Sequence, residues 1–398
     1  MSTFPGPIEE IPGISVDRFE NKENLSASVY FLSHCHSDHM KGLHNFFIEN
    51  LEKKNKFLYC SEISKAILNA KSNLVKSDMI KGLSALSPVV IGFNREKGTT
   101  VFVTVTLIPA GHCPGSVMFL FEYNEKKILY TGDFRINAND FAKIKPLHDC
   151  DGKNLYPKKF DKIYLDTTFL RLEYFKIPTR KESVDEIRKA TKDWLNLDPK
   201  NIVIMKLPYN YGLEYVFKDI SIGLNKKIHV KDSVYEVYKR IKEIGPYITN
   251  NANSTPLHGC LLFRDFRGCL PCRPDVDEKN ILAIHISVYK WGGNLDSGAF
   301  ISWDEVKERQ LSVCYSSHAS CEELKAFLKY FPASEIYPCV LPKTAEKQDA
   351  IYALLAEFSK KDNQKVTIDS SYEFRFPKAG SSGKVNFKSM IFSDEDDD

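Results

Sequence analysis

Six consecutive residues, 34–39, read His-Cys-His-Ser-Asp-His and place four strong metal ligands in one short segment. The segment follows an apolar run that predicts a buried strand. In extended backbone, residues two apart point to the same side, so His34 and His36 can hold one metal ion. Asp38 and His39 come after the chain has begun to turn and suit a second metal ion nearby. Because zinc and related cations accept imidazole and carboxylate together, the segment predicts a metal centre.

Length and composition narrow the class of protein. The chain has 398 residues with only ten histidines, so a chance cluster of surface histidines explains the segment poorly. This length predicts two domains, or one domain with a large insert. Met1–Ser15 lacks the apolar core of a secretory signal, and no apolar run approaches the about 20 residues of a membrane-spanning helix. The ten cysteines are mostly scattered, which is typical of reduced, intracellular thiols rather than a disulfide framework.

The net charge of +3 hides an uneven distribution. Residues 394–398 carry five negative charges, and without them the remaining chain carries +8. Such an excess suits an anionic partner, and a solvated, lysine-rich surface explains it equally well. From 361 onward, Gly, Ser and finally acidic residues predict a disordered acidic tail.

Further ligand-type residues follow predicted strands in the first 168 residues. The strands are predicted from β-branched and apolar patterns at Ala27–Leu32, Val101–Ile108, Ser116–Phe121, Lys127–Tyr130 and Ile163–Leu165. His112, Asp133 and Asp166 each come soon after one of these strands. Rigid sheets commonly present functional groups in this way, on the loops at strand ends.

The pattern changes near residue 178. Thr179 and Glu182 form a capping box that predicts a helix start, and helices then alternate with short strands to about residue 300. This stretch predicts a separate α/β unit. A strand at Leu311–Tyr315 leads to His318, just ahead of a second capping box at Ser320–Glu323.

Taken together, the candidate ligands suffice for two metal ions. In chain order they are His34, His36, Asp38, His39, His112, Asp133 and His318. Asp133 stands alone at a strand end and is the best candidate to bridge the two ions. Two cations about 3.5–4 Å apart can stabilise both oxygens of an in-line displacement at phosphorus.

These motifs resemble the metallo-β-lactamase superfamily, in its β-CASP branch of nucleic-acid hydrolases, and especially the DNA cross-link repair nucleases. The matching segments are residues 34–39, Gly111-His112, Thr131-Gly-Asp-Phe134, Leu165-Asp-Thr167 and His318, in the family's order. The resemblance covers about residues 10–345. It implies an αββα sandwich of the α/β class with an inserted β-CASP domain. The implied boundaries are 1–168 for the first part of the metallo-β-lactamase domain, 169–300 for the β-CASP domain and 301–360 for the return segment.

The resemblance also implies roles for single residues. His34, His36, His112 and Asp133 would hold the first metal, and Asp38, His39 and Asp133 the second, with His318 as its last ligand or as proton donor to the leaving oxygen. Asp17 and Asp166 match family motifs and would support the site from behind the ligands. Val340 occupies a motif position where DNA-cutting members carry Val and RNA-cutting members usually carry His.

A second group of cysteines and histidines lies in the predicted insert. The resemblance implies a structural zinc held by His229, His258, Cys260 and Cys272. Cys269 is an alternative to Cys272. Free buried thiols remain the other interpretation.

The implied activity is metal-dependent phosphodiester hydrolysis in DNA. By resemblance, the enzyme would trim 5′ ends and cut hairpins and overhangs in a nuclear repair process, using zinc, magnesium or manganese. An RNA endonuclease and a non-catalytic scaffold are the alternatives. Lys41, Arg135 and Lys206 are candidate phosphate contacts, each equally explained as a surface side chain, and Tyr209 and Tyr211 could stack on a base or pack in the core. Family members bind DNA-dependent protein kinase and a DNA ligase through a long tail, and because this chain ends at Asp398, DNA is the firmer expected partner.

Overall fold

The computed structural model describes residues 1–70, 77–94, 98–207, 211–262, 268–292, 295, 298–306 and 308–359. Tyr209 and the predicted tail at 361–398 lie outside them. The chain forms two compact units. The first unit contains the described residues of Met1–Lys65, Asn73–Arg171 and Cys321–Ser393, and the second is built mainly from those of Leu172–Ser320.

The first unit contains two main sheets. Its strands are β1 Ile14–Val16, β2 Val29–Phe31, β3 Leu58–Ser61, β4 Ile80–Leu83, β5 Val89–Asn94, β6 Thr100–Pro109, β7 Val117–Tyr123, β8 Lys126–Tyr130, β9 His148–Asp151, β10 Asn154–Pro157, β11 Phe160–Leu165 and β19 Ala333–Pro338. Its helices are α1 Asn21–Ser26, α2 Asn45–Lys54, α7 Cys321–Tyr330 and α8 Ala345–Phe358, together with the start of α3 Glu62–Ala70. One sheet is parallel, in the order β1-β2-β3-β4, and the other has the order β19-β11-β8-β7-β6-β5.

The two sheets share one apolar core. Phe31 of β2 packs its ring 5.3 Å from that of Phe119 and 5.1 Å from that of Phe121, both on β7. All three rings are fully buried. Truncating such a residue to alanine typically costs about 3–5 kcal/mol of stability. This is the face-to-face sandwich that the sequence predicts.

The second unit is an α/β layer around one sheet. Its strands are β12 Ile202–Lys206, β13 Ile228–His229, β14 Ile248–Thr249, β15 Leu257–His258, β16 Ile281–Ile286, β17 Ile301–Trp303 and β18 Gln310–Val313, and its helices are α4 Arg180–Leu197, α5 Glu214–Leu224 and α6 Asp232–Tyr238. The sheet order is β14-β13-β15-β12-β16-β18-β17. The capping box that starts α4 is present, because Thr179 Oγ1 accepts from the Glu182 amide at 3.2 Å and Glu182 Oε2 accepts from the Thr179 amide at 2.7 Å.

The boundary of the insert differs from the expected one. The sequence predicts that the chain returns to the first domain at residue 301, whereas the second unit extends to Ser320. The reason is pairing: β18 lies parallel to β16, and β17 pairs antiparallel with β18. The predicted strand at Leu311–Tyr315 does not reveal by its sequence which sheet it joins.

Two further observations concern the expected class of protein. None of the described helices combines the length and apolar character needed to cross a bilayer. All ten cysteines lie in the described residues and are present as thiols.

Candidate metal centre

Strand ends deliver the ligands of the first unit. The 34–39 segment follows β2, His112 follows β6 and Asp133 follows β8. β6 and β8 both run antiparallel to β7, so their carboxyl ends meet at one edge of the sheet. Gly132 has φ +53°, and a Cβ there would lie 2.9 Å from Cβ of Ser33. The turn that carries Asp133 is therefore packed directly against the histidine-rich segment.

Four ligand atoms converge in the first cluster. One nitrogen each of His34, His36 and His112 and one carboxylate oxygen of Asp133 lie within 4.8 Å of one another. His112 Nε2 is 3.0 Å from His36 Nδ1, and both His34 Nε2 and His112 Nε2 are 3.6 Å from Asp133 Oδ2. A tetrahedral zinc with about 2.0–2.1 Å bonds separates its ligand atoms by about 3.3 Å, so the spacing suits such a cation.

His34 is held with one nitrogen available as a ligand. Ser33 Oγ donates to Asp17 Oδ2 at 2.5 Å and lies 3.0 Å from His34 Nδ1. The hydroxyl proton is thus committed to Asp17, so Nδ1–H of His34 donates to Ser33 Oγ. His34 Nε2 then carries a lone pair, and it is a buried nitrogen with no hydrogen-bond partner among the described residues. A buried lone pair that faces a carboxylate is suited to bind a cation together with that carboxylate.

Asp133 divides its two oxygens between two clusters. Its Oδ2 faces His34 and His112, whereas its Oδ1 lies 3.2 Å from His39 Nε2. His39 Nε2 is also 3.7 Å from Asp38 Oδ2. Asp38, His39 and Asp133 thus form a second group beside the first. A carboxylate in this position can bridge two cations.

Asp17 fixes the orientation of His39. Its Oδ2 lies 2.8 Å from His39 Nδ1 and accepts from Tyr130 Oη at 2.9 Å, and its Oδ1 accepts from the Ser33 amide at 2.7 Å. Asp17 is buried and has φ +54°, a left-handed backbone that non-glycine residues seldom adopt outside special sites. Its oxygens are saturated by these donors, so it orients His39 and directs the Nε2 of that ring toward Asp38 and Asp133.

The pKa values of two buried imidazoles, His34 and His39, shift in opposite directions. Burial lowers the pKa of His34, and the neighbouring His39 and His36 push that pKa further down. Burial also lowers the pKa of His39, but the Asp133 and Asp17 carboxylates outweigh it and hold that pKa well above its usual range. A metal ion held by these residues would compensate the same buried carboxylates.

Asp166 and Arg135 support the loop that carries Asp133. Asp166 Oδ2 accepts from the Phe134 amide at 3.3 Å, so it braces the residue next to Asp133. Arg135 is 4% exposed, and its Nε lies 3.1 Å from both carboxylate oxygens of Glu323 on α7. The predicted surface contact to DNA does not match this buried ion pair, which instead ties the loop to α7.

Three further predicted site residues are His318, Lys206 and Lys41. His318 belongs to the second unit, where its amide donates to Ser316 Oγ at 2.9 Å in a turn that precedes α7. Lys206 is buried and its Nζ donates to Gln310 Oε1 at 3.2 Å. Lys41 is half-buried.

Tyr211 packs edge-on against Tyr238, with ring centroids 5.6 Å apart. This contact lies within the second unit. It agrees with the core-packing interpretation of that side chain, one of the two that the sequence left open.

A second ligand cluster lies in the second unit. His229 on β13 is the direct strand partner of His258 on β15. Their Nδ1 atoms are 3.1 Å apart, and Cys272 Sγ lies 3.6 Å and 3.5 Å from them, respectively. Cys260 Sγ is 3.5 Å from Cys272 Sγ. These separations are close to the edges of a zinc tetrahedron with about 2.3 Å bonds to sulfur and about 2.0 Å bonds to nitrogen.

Cys269 lies apart from this cluster. Among the described residues, the group that could hold a metal contains Cys272 and not Cys269, whose side chain is exposed. A hydrogen bond joins the sulfur atoms of Cys260 and Cys272, and it lowers the pKa of Cys272 well below the usual range of a thiol. A thiolate beside two imidazoles is the donor set that zinc prefers.

Sequence reasoning missed the side chains that hold the ligands in place. Ser33 and Tyr130 bind Asp17, and Thr131 Oγ1 accepts from the Asp166 amide at 2.9 Å. Ser33 directly precedes the 34–39 segment, and Thr131 lies two residues before Asp133. Their hydroxyls carry no periodic signal, so only their position beside a ligand could have drawn attention to them.

Comparison with known proteins finds two domain models that match parts of the chain. A model described as metallo-beta-lactamase superfamily matches residues 28–155, and one described as DNA repair metallo-beta-lactamase matches residues 243–344. The chain thus contains a match to each of these two domain models. The predicted fold class, with a β-CASP insert, is thereby confirmed. A metallo-beta-lactamase match implies divalent metal binding, which the cluster of His34, His36, His112 and Asp133 fits.

Curated relatives agree with these two matches. Protein artemis of Danio rerio is 38% identical over 362 residues, covering 87% of this chain and 55% of that protein. Protein artemis of Homo sapiens is 35% identical, covering 86% of this chain and 50% of that protein. The DNA cross-link repair 1A protein of Mus musculus is 28% identical over 82% of this chain. The chain therefore spans about half the length of its artemis relatives.

The wording of three motifs had also indicated artemis among the repair metallo-β-lactamases, and these identities confirm that likeness. The motifs are His39-Met-Lys-Gly-Leu43, Asp166-Thr-Thr-Phe169 and Tyr211-Gly-Leu-Glu-Tyr215. A solved structure, of a protein of unknown function from Enterococcus faecalis V583, matches with a TM-score of 0.50 at 15% identity over 80% of this chain and 76% of that chain. That likeness concerns the fold alone.

Proposed function

We propose that this protein is a metal-dependent nuclease that hydrolyses phosphodiester bonds in DNA. The observation that carries the proposal is the division of Asp133, with Oδ2 facing His34 and His112 and Oδ1 facing His39. A bridging carboxylate between two ligand groups is the arrangement required for two cations. The relatives named artemis and DNA cross-link repair 1A support DNA as the substrate.

The ligand groups divide between two metal positions. His34, His36, His112 and Asp133 would hold the first metal, and Asp38, His39 and Asp133 the second, with zinc favoured by the imidazoles and magnesium or manganese as alternatives. Divalent cations bound there supply Lewis-acid stabilisation of a phosphoryl group. Asp17 keeps Nε2 of His39 directed at its position, and His318 serves as a further ligand or as proton donor to the leaving oxygen.

Substrate preference rests on a motif outside the clusters. Val340 follows β19, and Thr167 Oγ1 bonds both its carbonyl, at 2.6 Å, and its amide, at 3.0 Å. The motif therefore lies beside Asp166. A valine here favours DNA over RNA by family pattern. By the same likeness, the proposed activity includes cutting of hairpins and overhangs and 5′-exonuclease trimming in the nucleus. The proposed partners are DNA-dependent protein kinase and a DNA ligase.

Supporting roles complete the proposal. The second unit would be the β-CASP domain, with a structural zinc at His229, His258, Cys260 and Cys272. Lys41 and Lys206 stay proposed phosphate contacts. We reassign Arg135 to the support of the Asp133 loop, because its guanidinium is buried against Glu323.

The test offers the purified protein labelled DNA hairpins, overhangs and single strands, with and without a 5′-phosphate, and matched RNA. Asp38→Ala removes a ligand without opening the core and should lower cleavage more than about 100-fold. Asp349→Ala changes an exposed aspartate on α8 and is the control. Metal content is measured on each sample. Cleavage by Asp38→Ala at the parent rate would contradict the two-metal assignment, and preferential cleavage of RNA would overturn the choice of substrate.

A further inference from the structure

The backbone of Ser2 contacts a proposed metal ligand. The Ser2 amide donates to Asp38 Oδ2 at 2.9 Å, across 36 positions of sequence. Ser2 is 6% exposed, so water competes little for this bond. A hydrogen bond to a charged acceptor in a buried setting is shorter and stronger than one between neutral groups. The Ser2 amide thus restrains Asp38 at Oδ2, the oxygen that lies 3.7 Å from His39 Nε2, and it does so from outside all recognised motifs.

Residues Ser2–Phe4, here called the strap, are held on both sides. Arg18 Nη2 donates to the carbonyl of Phe4 at 2.9 Å and to that of Ser2 at 3.4 Å. The Thr3 amide donates to the Cys339 carbonyl at 2.9 Å. The strap therefore joins the segment after β1 to the segment after β19.

An aromatic anchor fixes the far end of the strap. The Phe4 ring is 2% exposed and lies 5.1 Å from Tyr130, 5.2 Å from Tyr164 and 5.8 Å from Tyr337, centroid to centroid. Tyr130 is the residue that also bonds Asp17. Because buried aromatic contacts of this kind are specific in geometry, the strap has one position, and the Ser2 amide is presented to Asp38 from a rigid base.

We propose that the strap is a positioning element for Asp38, with the Ser2 amide setting the rotation of its carboxylate toward the second metal position. The inference rests on the proposed function, because it takes Asp38 as a ligand. Groups that hydrogen-bond a metal-ligating carboxylate restrict it to the binding orientation, and their loss typically weakens metal affinity about 10–100-fold. The strap would thus orient Asp38 in the way that Asp17 orients His39.

The experiment separates the amide from the side chain of Ser2. Ser2→Pro removes the N–H, whereas Ser2→Ala keeps it and is the matched variant. Each protein is dialysed at fixed concentrations of free Zn²⁺ and its bound zinc is measured by elemental analysis, with kcat, KM and the melting temperature recorded alongside. Ser2→Pro should need about 10-fold more free Zn²⁺ to fill the second metal position, to which Asp38 belongs. Its kcat should fall while its KM changes little. Ser2→Ala should bind zinc as the parent does.

A second variant covers the case in which Ser2→Pro does not fold. Thr3→Val removes the hydroxyl that bonds the Cys339 carbonyl and the Leu341 amide, so it loosens the strap without touching the Ser2 amide. It should shift zinc binding in the same direction by a smaller factor. If both variants fill at the parent's free Zn²⁺, the strap is only part of the core and the proposal is wrong. A parent that takes up zinc solely at the cysteine site would overturn the proposed function instead.

Discussion

The carboxylate of Asp17 lies 2.8 Å from Nδ1 of His39, and both residues are almost completely buried. An ionised carboxylate can only accept, so this pair keeps the proton of His39 on Nδ1. Nε2 is then left to face Asp38 and Asp133. The tautomer of one imidazole is therefore decided by a residue that does not touch the metal position.

Replacing Asp17 by asparagine should disturb this tautomer. The amide offers a donor to Nδ1, which favours a proton on Nε2, where a metal would bind. We expect Asp17→Asn to lower metal affinity and DNA cleavage by about 10–100-fold while the fold persists. Tyr130→Phe removes only the bond from Oη to Asp17 and should have a smaller effect in the same direction. Zinc titration and cleavage rates check both, and equal affinity of Asp17→Asn and the parent would contradict the orienting role.

The cysteines of the second unit provide a matched pair. Cys272→Ser removes a thiolate from the cluster with His229 and His258, whereas Cys269→Ser changes an exposed thiol outside it. We expect Cys272→Ser to lose one zinc per chain and several degrees of melting temperature, since a structural zinc contributes directly to folding. Cys269→Ser should keep both. Zinc loss from Cys269→Ser alone would reverse the assignment.

Two glycines with left-handed backbone allow the stability cost of steric crowding to be measured apart from that of backbone strain. At Gly132, with φ +53°, an added methyl group would lie 2.9 Å from Ser33, whereas at Gly152, with φ +63°, it would meet no atom within 4 Å. Alanine at either site costs about 1–2 kcal/mol for the backbone alone. Gly132→Ala should cost more and reduce metal binding, because it displaces the Asp133 turn from the histidine segment. Denaturant unfolding and zinc binding of the two variants test this, and equal losses would show that crowding at Gly132 is unimportant.

His285 makes the stability of the second unit depend on pH. Burial, with Lys206 and Lys290 nearby, lowers the pKa of His285 from 6.5 to about 4. The unfolded chain takes up this proton before the folded one does, so stability is full above pH 6.5 and declines as the pH falls toward about 4. Because His285 is partly exposed, the loss should be only about 1 kcal/mol.

His285→Gln should remove that part of the pH dependence. Unfolding in urea between pH 7 and pH 5 measures the slope for the parent and the variant, and the imidazole proton signals of the parent report the pKa directly. The expectation fails if His285 titrates near its usual value in the folded protein.

Local patterns drew attention to the candidate ligands, and distant partners explain what those patterns could not predict. Asp133 and Asp166 stood out because each comes soon after a recognisable strand, and a strand end is a local feature. Arg135 did not show its role, since its partner Glu323 lies 188 positions away. The same holds for Ser2 and Asp38, 36 positions apart and joined through a backbone amide. The pattern of Leu311–Tyr315 predicts a strand but not its unit, because a strand's sequence does not specify its neighbour in a sheet.

The place of β19 in the six-stranded sheet has a consequence for the order of synthesis. β19 pairs in parallel with β11, although the second unit, Leu172–Ser320, lies between them in sequence. On the ribosome, Leu172–Ser320, which forms most of the second unit, is made before β19. The first unit must therefore wait, with the edge of β11 uncovered, until the last strand emerges, and an open strand edge is a site of misassociation. The first unit is therefore the first to begin synthesis and the last to complete its fold.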